Sequence, residues 1–422
     1  MRSPITFLLI FSIIILAVDF YSYRGIKKLT AHFFTHHRRI VFFLFWSLPV
    51  MLISALIIFS LFNRSINPAD YMPYFHIVSG GFILFYLPKL VFILFNFADD
   101  IILMVKKIVN TYKKPAVQTD PANSMTRKQF LNKLGIIIAA VPFASALYGI
   151  TWGRFDFIVR KHKLYFKNLP AEFNGLRVVQ FSDFHIGSFS HYTDEVKRAI
   201  DLINEQRPDL LLFTGDIVNN VADELERYMP ILQNLEAGIG KYSVLGNHDY
   251  ADYVRWYTDQ QKQENMIRLR QMQDELGLQL LLNDSQKIFY KDNFIELLGV
   301  ENWGLPPFPQ YGDLEKTRRN VDKNAFKILM SHDPTHFAEQ VKGTDIDLTL
   351  SGHTHGAQFG IEIPGWRWSP VDMRYTYWGG LYKVNEQYVN VNTGLGFIGF
   401  PGRVGMPPEI TLFELYSGEE QA

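Results

Sequence analysis

Asp183 and His185 stand one residue apart at the end of the stretch LRVVQFSDFH, Leu176 to His185. In extended backbone, side chains two apart point to the same side. A carboxylate and an imidazole at that spacing can therefore serve as two ligands of one metal ion. Further on, the chain offers Thr214-Gly215-Asp216, Gly246-Asn247-His248-Asp249, Ser331-His332-Asp333 and Gly352-His353-Thr354-His355. Taken alone, each is short enough to arise by chance, and a single His beside a strand end is more often a hydrogen-bonded structural residue. The sequence contains no cysteine, which excludes disulfides, thiolate ligands and a Cys nucleophile. Any metal site must then be built from His, Asp, Glu and Asn. Such a set suits Mn, Fe or Zn, and ligand softness does not choose among them.

The elements that carry these residues read as strands. Val178 to Phe181 is a short apolar run of the kind that makes a buried strand. Pro208 to Phe213, Tyr242 to Leu245, Lys327 to Met330 and Leu348 to Leu350 read the same way, and all five runs end in Asp, Asn or His. Apolar spacing predicts a helix over Tyr192 to Asn204. Strands with helices between them imply an α/β core, in which ligands bind beyond the carboxyl ends of the strands. Five strand ends bearing such residues are hard to explain as five separate structural histidines. Arg255 to Gly277 predicts one long helix, either a lid over the site or a solvated helix on the sheet. Trp303 to Asp313, with Pro306, Pro307 and Pro309, reads as a rigid loop. Gly360 to Tyr377 carries Trp366, Trp368, Tyr375 and Tyr377, which could line a substrate cleft, rest on a membrane surface or form a satellite core.

The 422 residues carry a formal net charge of 0, which gives no argument for a nucleic-acid partner. Hydrophobic residues make up 48% of the chain, with 35 Phe, and they concentrate in the first 150 positions. Pro4 to Tyr23, Ile40 to Phe62, Tyr71 to Phe97 and the shorter Leu134 to Ile150 read as membrane spans. The first lacks a small-residue cleavage site and reads as an anchor. The expected organisation is a membrane region over residues 1–150, with about four transmembrane helices, and a second domain over residues 151–422 that carries the strand-end residues. Asp19 and Lys89 are the only charges well inside the runs, and the expectation is an interfacial Asp19 and a snorkelling Lys89.

Arg24, Lys27, Lys28, Arg38 and Arg39 follow the first span, and Lys106, Lys107, Lys113, Lys114, Arg127, Lys128 and Lys133 precede the fourth. The positive-inside rule puts both basic loops in the cytoplasm. This predicts a multi-pass inner-membrane protein with the domain after residue 150 on the outer, periplasmic face. Pro115 to Asn123 reads as a cytoplasmic linker. Thr126 to Leu131 resembles a twin-arginine export signal with Lys in place of the second Arg, and reads equally as an ordinary basic flank.

The ordered set of motifs from Asp183 to His355 resembles the calcineurin-like metallophosphoesterase superfamily, over roughly Leu176 to the C-terminus. The later run Asn392-Thr393-Gly394-Leu395-Gly396 and the stretch GRVGMPPEI from Gly402 resemble its membrane-anchored bacterial branch. Some members of that branch cleave the pyrophosphate of a UDP-linked diacylglucosamine. The resemblance implies an α/β fold, a two-sheet sandwich flanked by helices, preceded here by the membrane helices. It also implies that Asp183, His185 and His355 hold one divalent ion, that Asn247, His332 and His353 hold the other, and that Asp216 bridges both. His248 would face the phosphate, and Asp249 would orient it or cap a turn, orientation being the expectation. Asn219 and Ala357 depart from the residues common in relatives, Asp and Gly, at positions that are not ligands.

The implied activity is hydrolysis of a phosphoester, phosphodiester or pyrophosphate bond by a metal-activated water. The substrate would be a phosphate ester, lipid-linked in one version, and no protein partner is inferable. The competing expectation is a non-catalytic membrane sensor or scaffold whose outer domain binds a metal or nucleotide. The presence of every expected ligand together with His248 disfavours it.

Overall fold

Long apolar runs fold as helices because only internal hydrogen bonding satisfies their backbone where there is no water. The computed structural model describes residues 4–62, 70–111 and 127–419. Its first four helices are α1 (Pro4–Leu29), α2 (Thr35–Phe62), α3 (Tyr71–Thr111) and α4 (Arg127–Thr151). Each contains a stretch long and apolar enough to cross a membrane. α3 continues past Phe97 because Ala98 to Thr111 contains neither Gly nor Pro to stop it. The extension meets the basic end of α1: Tyr21 Oη donates to Asp100 Oδ2 at 2.8 Å, and Arg24 and Lys28 lie 3.6 and 3.8 Å from the same carboxylate.

Asp19 and Lys89 differ from expectation. Lys89 Nζ donates to Asp19 Oδ1 at 2.6 Å, Tyr86 Oη donates to Oδ2 at 2.6 Å, and Asp19 is fully buried. Two charges that would each be costly alone in an apolar bundle are paired inside it instead of reaching separately for the interface. The linker expected over Pro115 to Asn123, and Thr126 of the export-like stretch, lie outside the described residues. Arg127 to Leu131 form the start of α4.

Most of a second compact unit is formed from Gly149 onward. Its first sheet holds β1 (Ile158–Phe166), β2 (Leu176–Phe181), β3 (Leu210–Phe213), β4 (Gly240–Ser243), β5 (Gln279–Leu280) and β14 (Glu409–Ser417), in the order β1-β14-β2-β3-β4-β5. The second holds β6 (Asp284–Tyr290), β7 (Asn293–Gly299), β8 (Lys327–Met330), β9 (Leu348–Ser351), β12 (Gly380–Val384) and β13 (Gln387–Val391), in the order β12-β13-β9-β8-β7-β6. A separate hairpin pairs β10 (Ile361–Ile363) with β11 (Trp366–Trp368).

The central strands are apolar on both faces because both faces are covered. Val178, Leu210 and Leu212 of the first sheet share one core with Ile295, Ile328, Met330 and Leu348 of the second. The alternate residues Val179, Phe181, Leu211 and Phe213 face outward onto α5 (Thr193–Glu205), α6 (Met229–Leu232) and α7 (Asp259–Glu275). On the other side, Leu298, Leu329, Val389 and Val391 pack with Phe337 and Val341, and α8 (Leu314–Arg318) contributes Leu314. This is the two-sheet α/β sandwich flanked by helices. α7 is the long helix of the Arg255–Gly277 stretch. It buries Leu269 and Met272 in the core and donates no residue to the wall of the site, so it is a sheet-covering helix and not a lid.

β2, β3 and β4 run parallel, as do β7, β8 and β9. Their carboxyl ends therefore open at one edge of each sheet, where the candidate residues leave the strands.

Candidate metal centre

The loops after β2 and β3 are tied together by backbone bonds, Asp183 N–H to Gly215 O at 2.8 Å and His185 N–H to Asp216 O at 3.1 Å. Such close approach requires turns that ordinary backbone avoids. Asp183, His185, Asp216, His353 and His355 all have positive φ, between 44° and 71°. For non-glycine residues each such turn costs on the order of 1 kcal/mol or more, and here the cost falls on five candidate ligands. Gly352 lacks a side chain because a Cβ would overlap Ser182 Oγ and Asp183 Oδ2.

Two clusters result. Asp183, His185 and His355 place one donor atom each within 4.8 Å of one another, and so do Asp216, His332 and His353. In the first, His185 Nε2 lies 3.0 Å from His355 Nε2, and Asp183 Oδ1 lies 3.2 Å from His355 Nε2. In the second, His332 Nε2 lies 3.2 Å from Asp216 Oδ2. The same Oδ2 is 3.6 Å from His185 Nε2, so one carboxylate oxygen stands between the clusters.

The hydrogen bonds around the rings decide which nitrogens are left over. His332 Nδ1 is 2.7 Å from Thr214 O, which can only accept, so Nδ1 carries the proton. The remaining Nε2 then turns a lone pair on a carboxylate oxygen, an arrangement that needs a proton or a cation between the two. His353 Nε2 lies 3.0 Å from Tyr375 Oη and 3.4 Å from Asp333 Oδ2, which leaves its Nδ1 for the centre. Asn247 Nδ2 donates to Tyr253 Oη at 2.9 Å, while its Oδ1 is buried without a hydrogen-bond partner. Buried polar atoms are rarely left unpaired, and an unpaired amide oxygen beside a His and carboxylate cluster fits a cation ligand.

The electrostatics agree. Burial raises the Asp183 and Asp216 carboxyls, yet the facing imidazoles outweigh it and hold both below the ordinary carboxylate range. Burial lowers His185, His353 and His355, which keeps those rings neutral and able to donate a lone pair. Burial also acts to lower His332, but Asp216 and Asp183 reverse the sign and push it up to about 10. With the carboxylates ionised, this pocket therefore holds one positive charge on His332 in the absence of a cation.

His248 sits at the rim. Its backbone N–H donates to Asp216 Oδ1 at 2.8 Å, and its Nδ1 lies 2.7 Å from Asn219 O. Asp249 does not orient it. The Asp249 carboxylate is buried and accepts from four backbone N–H groups: Asp216 at 2.8 Å, Gly246 at 2.9 Å, Ile217 at 2.9 Å and Val218 at 3.4 Å. It ties the β3 and β4 loops together, because those orphan donors face a single side chain that can satisfy all of them. Burial, then the adjacent Asp216, pushes its carboxyl up to about 7.

A cavity of about 340 Å³ opens onto these groups, walled on one side by Tyr253, Phe308, Val371, Tyr375 and Ile398. Phe308 belongs to the proline-rich loop and meets the His353 ring edge-on at 4.5 Å. Of the neighbours, Tyr253 carries no local signal in the sequence, whereas Tyr375 lies in the aromatic stretch from Gly360 to Tyr377 and Asp333 stands beside His332 in its own motif. Arg403 is fully buried, donating to the carbonyls of Thr393 at 2.7 Å and Gly394 at 3.1 Å, with Nη2 3.2 Å from His355 Nδ1. It fixes the loop behind His355.

Known proteins share both parts of the chain. Residues 176–357 match the family described as Calcineurin-like phosphoesterase, and residues 1–154 match the one described as Probable Calcineurin-like phosphoesterase, transmembrane domain. The metallophosphoesterase YkuE of Bacillus subtilis is 31% identical over 301 residues, which cover 69% of this chain and 98% of that protein. A transmembrane protein with metallophosphoesterase domain from Danio rerio is 30% identical over 66% of this chain, and the match spans 61% of that relative's length. A metallophosphoesterase of Campylobacter jejuni is 26% identical over 96% of this chain and 98% of its own. With its strand-end carboxylates and imidazoles in two clusters and four apolar helices ahead of them, the chain belongs to the calcineurin-like metallophosphoesterases, metal-dependent phosphoesterases, as a membrane protein.

Proposed function

We propose that the chain hydrolyses a phosphoester, phosphodiester or pyrophosphate bond at a dinuclear centre. Asp183, His185 and His355 would hold one divalent ion, Asn247, His332 and His353 the other, with Asp216 shared. The observation that carries this reading is Asp216 Oδ2, 3.6 Å from a ring nitrogen of the first cluster and 3.2 Å from one of the second. The donor set of imidazole, carboxylate and amide oxygen suits Mn, Fe or Zn. Bound divalent ions would supply Lewis-acid charge to the phosphoryl group and would lower the pKa of a coordinated water towards about 7.

The protein's own groups do the rest. His248, with its Nδ1–H donating to Asn219 O, has Nε2 left for the substrate, and in the imidazolium form the Nε2–H would stabilise charge on the phosphoryl oxygens or pass to the leaving group, leaving the neutral ring. Asp249 acts at one remove, by holding the Asp216 and Gly246 backbones in place. The wall of Phe308, Val371, Tyr375 and Ile398 favours a phosphate that carries an apolar group, such as a lipid-linked one. The distribution of basic residues supports an inner-membrane protein whose catalytic unit faces outward.

The test is hydrolysis by the full chain in detergent with Mn on three substrates: a bis-aryl phosphodiester, an aryl phosphomonoester and a UDP-diacylglucosamine. Turnover that disappears when Asp216 and His248 are both replaced by Ala is expected. Full activity in that double variant would sink the mechanism. Turnover confined to the lipid nucleotide would favour a cytoplasmic-facing lipid role and count against the outward topology.

A further inference from the structure

The β10–β11 hairpin separates its side chains by chemistry. Ile361 pairs with Trp368, Glu362 with Arg367 and Ile363 with Trp366, so period-two alternation puts the four apolar residues on one face and the charged pair on the other. The charged face is bound to the protein. Glu362 accepts from Arg160 Nη2 at 2.7 Å, and the Arg367 guanidinium lies 5.0 Å from the centre of the Trp378 ring. Among the described residues, the apolar face has no comparable partner. Ile361, Ile363, Trp366 and Trp368 are 49%, 53%, 51% and 39% exposed, and none joins a buried cluster. A contiguous face of this kind marks an interaction surface.

Its place in the chain names the occupant. The fourth candidate span runs from Phe130 to Thr151, and in its last turn Gly149 O accepts from Arg403 N–H at 3.2 Å. The next residue, Val404, accepts from Gly360 N–H at 2.9 Å, and β10 starts at Ile361. The hairpin thus springs from backbone that is hydrogen-bonded to the last turn of a membrane span. Two Ile and two Trp on one face match what an interface between headgroups and acyl chains accepts. The chain then leaves β11 directly for the site: Ser369 Oγ donates to Gly356 O at 2.7 Å, and Tyr375 Oη lies 3.0 Å from His353 Nε2.

We propose that the β10–β11 hairpin is a membrane foot whose Ile361, Ile363, Trp366 and Trp368 face enters the lipid interface and holds the mouth of the site against the bilayer. This rests on, and deepens, the phosphoesterase reading: the substrate is a phosphoester borne by a lipid in the leaflet beneath the foot.

The absence of native cysteine makes the test direct. Ile363→Cys and, as a control, Lys291→Cys on the exposed β6–β7 turn are each labelled with a nitroxide in the full chain, reconstituted in phosphatidylcholine and phosphatidylglycerol bilayers. The Ile363 label is expected to relax with dissolved oxygen in preference to a water-soluble nickel chelate, and the Lys291 label the reverse. Chelate access at Ile363 equal to that at Lys291 would overturn the proposal. So would shielding from both reagents, which would mean a second copy or another protein covers the face. This readout needs no turnover, so it stands or falls apart from the catalytic reading. The double variant Ile363→Glu, Trp366→Glu should then slow hydrolysis of a bilayer-borne phosphoester by about tenfold or more, with an aryl phosphodiester in solution unaffected. Equal rates on both substrates in variant and parent would refute the role in substrate access.

Discussion

Replacing Asp249 by Asn separates two roles for a residue next to the rim histidine. If Asp249 acted through His248, the substitution would alter proton transfer. The structure instead has its carboxylate accepting from Asp216 and Gly246 through Oδ2 and from Ile217 and Val218 through Oδ1. An amide can accept on one side only, so two of the four buried N–H groups will face an NH2. The cheaper orientation keeps Asp216 and Gly246 paired and sacrifices Ile217, at 2.9 Å, and the long contact from Val218, at 3.4 Å. Each unsatisfied buried donor costs about 1–3 kcal/mol, which for one good and one weak bond gives about 2–4 kcal/mol. That energy is lost between the loops that carry Asp216 and Asn247, so it should appear as weakened cation binding, by about 10- to 100-fold. The assay is calorimetric titration of Mn into the metal-stripped full chain in detergent, with kcat against pH on an aryl phosphodiester at saturating Mn. The expected result is lower affinity with both limbs of the pH profile in place. His248→Asn serves as the control and should lower kcat while leaving Mn affinity intact. Asp249→Asn binding Mn like the parent, with a displaced limb in the pH profile, would refute the loop assignment and restore the role through His248.

Three further outcomes follow from the same geometry. Gly352→Ala should abolish turnover and cation binding, because its Cβ would overlap Ser182 Oγ and Asp183 Oδ2; retained Mn binding by calorimetry would show that the loop has room to give. Cation binding at pH 7 should release about one proton, since His332 is pushed up to about 10, burial opposing and Asp216 and Asp183 prevailing; binding enthalpies that do not change between buffers of different ionisation heat would contradict this. His336 is buried between Ser331 Oγ and Gln340 Oε1, and burial lowers it to about 4 from 6.5. A depressed His pKa means that the unfolded chain takes up a proton first, so stability is lost as pH falls from 6.5 towards 4, by up to about 3 kcal/mol. Melting temperature against pH should fall more steeply for the parent than for His336→Asn over that range, and equal slopes would contradict the assignment.

The sequence alone was enough to determine the outline of both parts. Membrane helices are legible because a span must be apolar along its whole length, but the helices run on into polar residues beyond the spans, α1 to Leu29, α2 back to Thr35, α3 to Thr111 and α4 back to Arg127, where no breaker stops them. The buried strands were legible because β2, β3, β8 and β9 are covered on both faces and so read as unbroken apolar runs. The Asp, Asn and His residues that follow them could then be seen to emerge at one edge, and the family resemblance singled out Asp183, His185, Asp216, Asn247, His332, His353 and His355 among them as the implied ligands. The aromatic stretch from Gly360 to Tyr377 was visible too, but its three readings stayed open. The hairpin register turns Trp366 and Trp368 outward, while Tyr375, beyond the hairpin, reaches His353 and packs in a small cluster with Trp378 and Met406.

What only the tertiary structure decided is which atom meets which. Asp249 is next to His248 in the chain, yet its carboxylate is taken by N–H groups 31 to 33 positions earlier as well as by Gly246. Asp19 and Lys89 are 70 residues apart, on different helices, and become one ion pair. Arg403, which the sequence shows only as part of the stretch GRVGMPPEI, is fully buried, because the carbonyls of Thr393, Gly394 and Gly396 turn inward behind His355. Periodicity records which way a side chain faces relative to its own strand or helix. It carries no information about the groups that other loops bring to that face, and in a buried site those groups set the charge, the tautomer and the role.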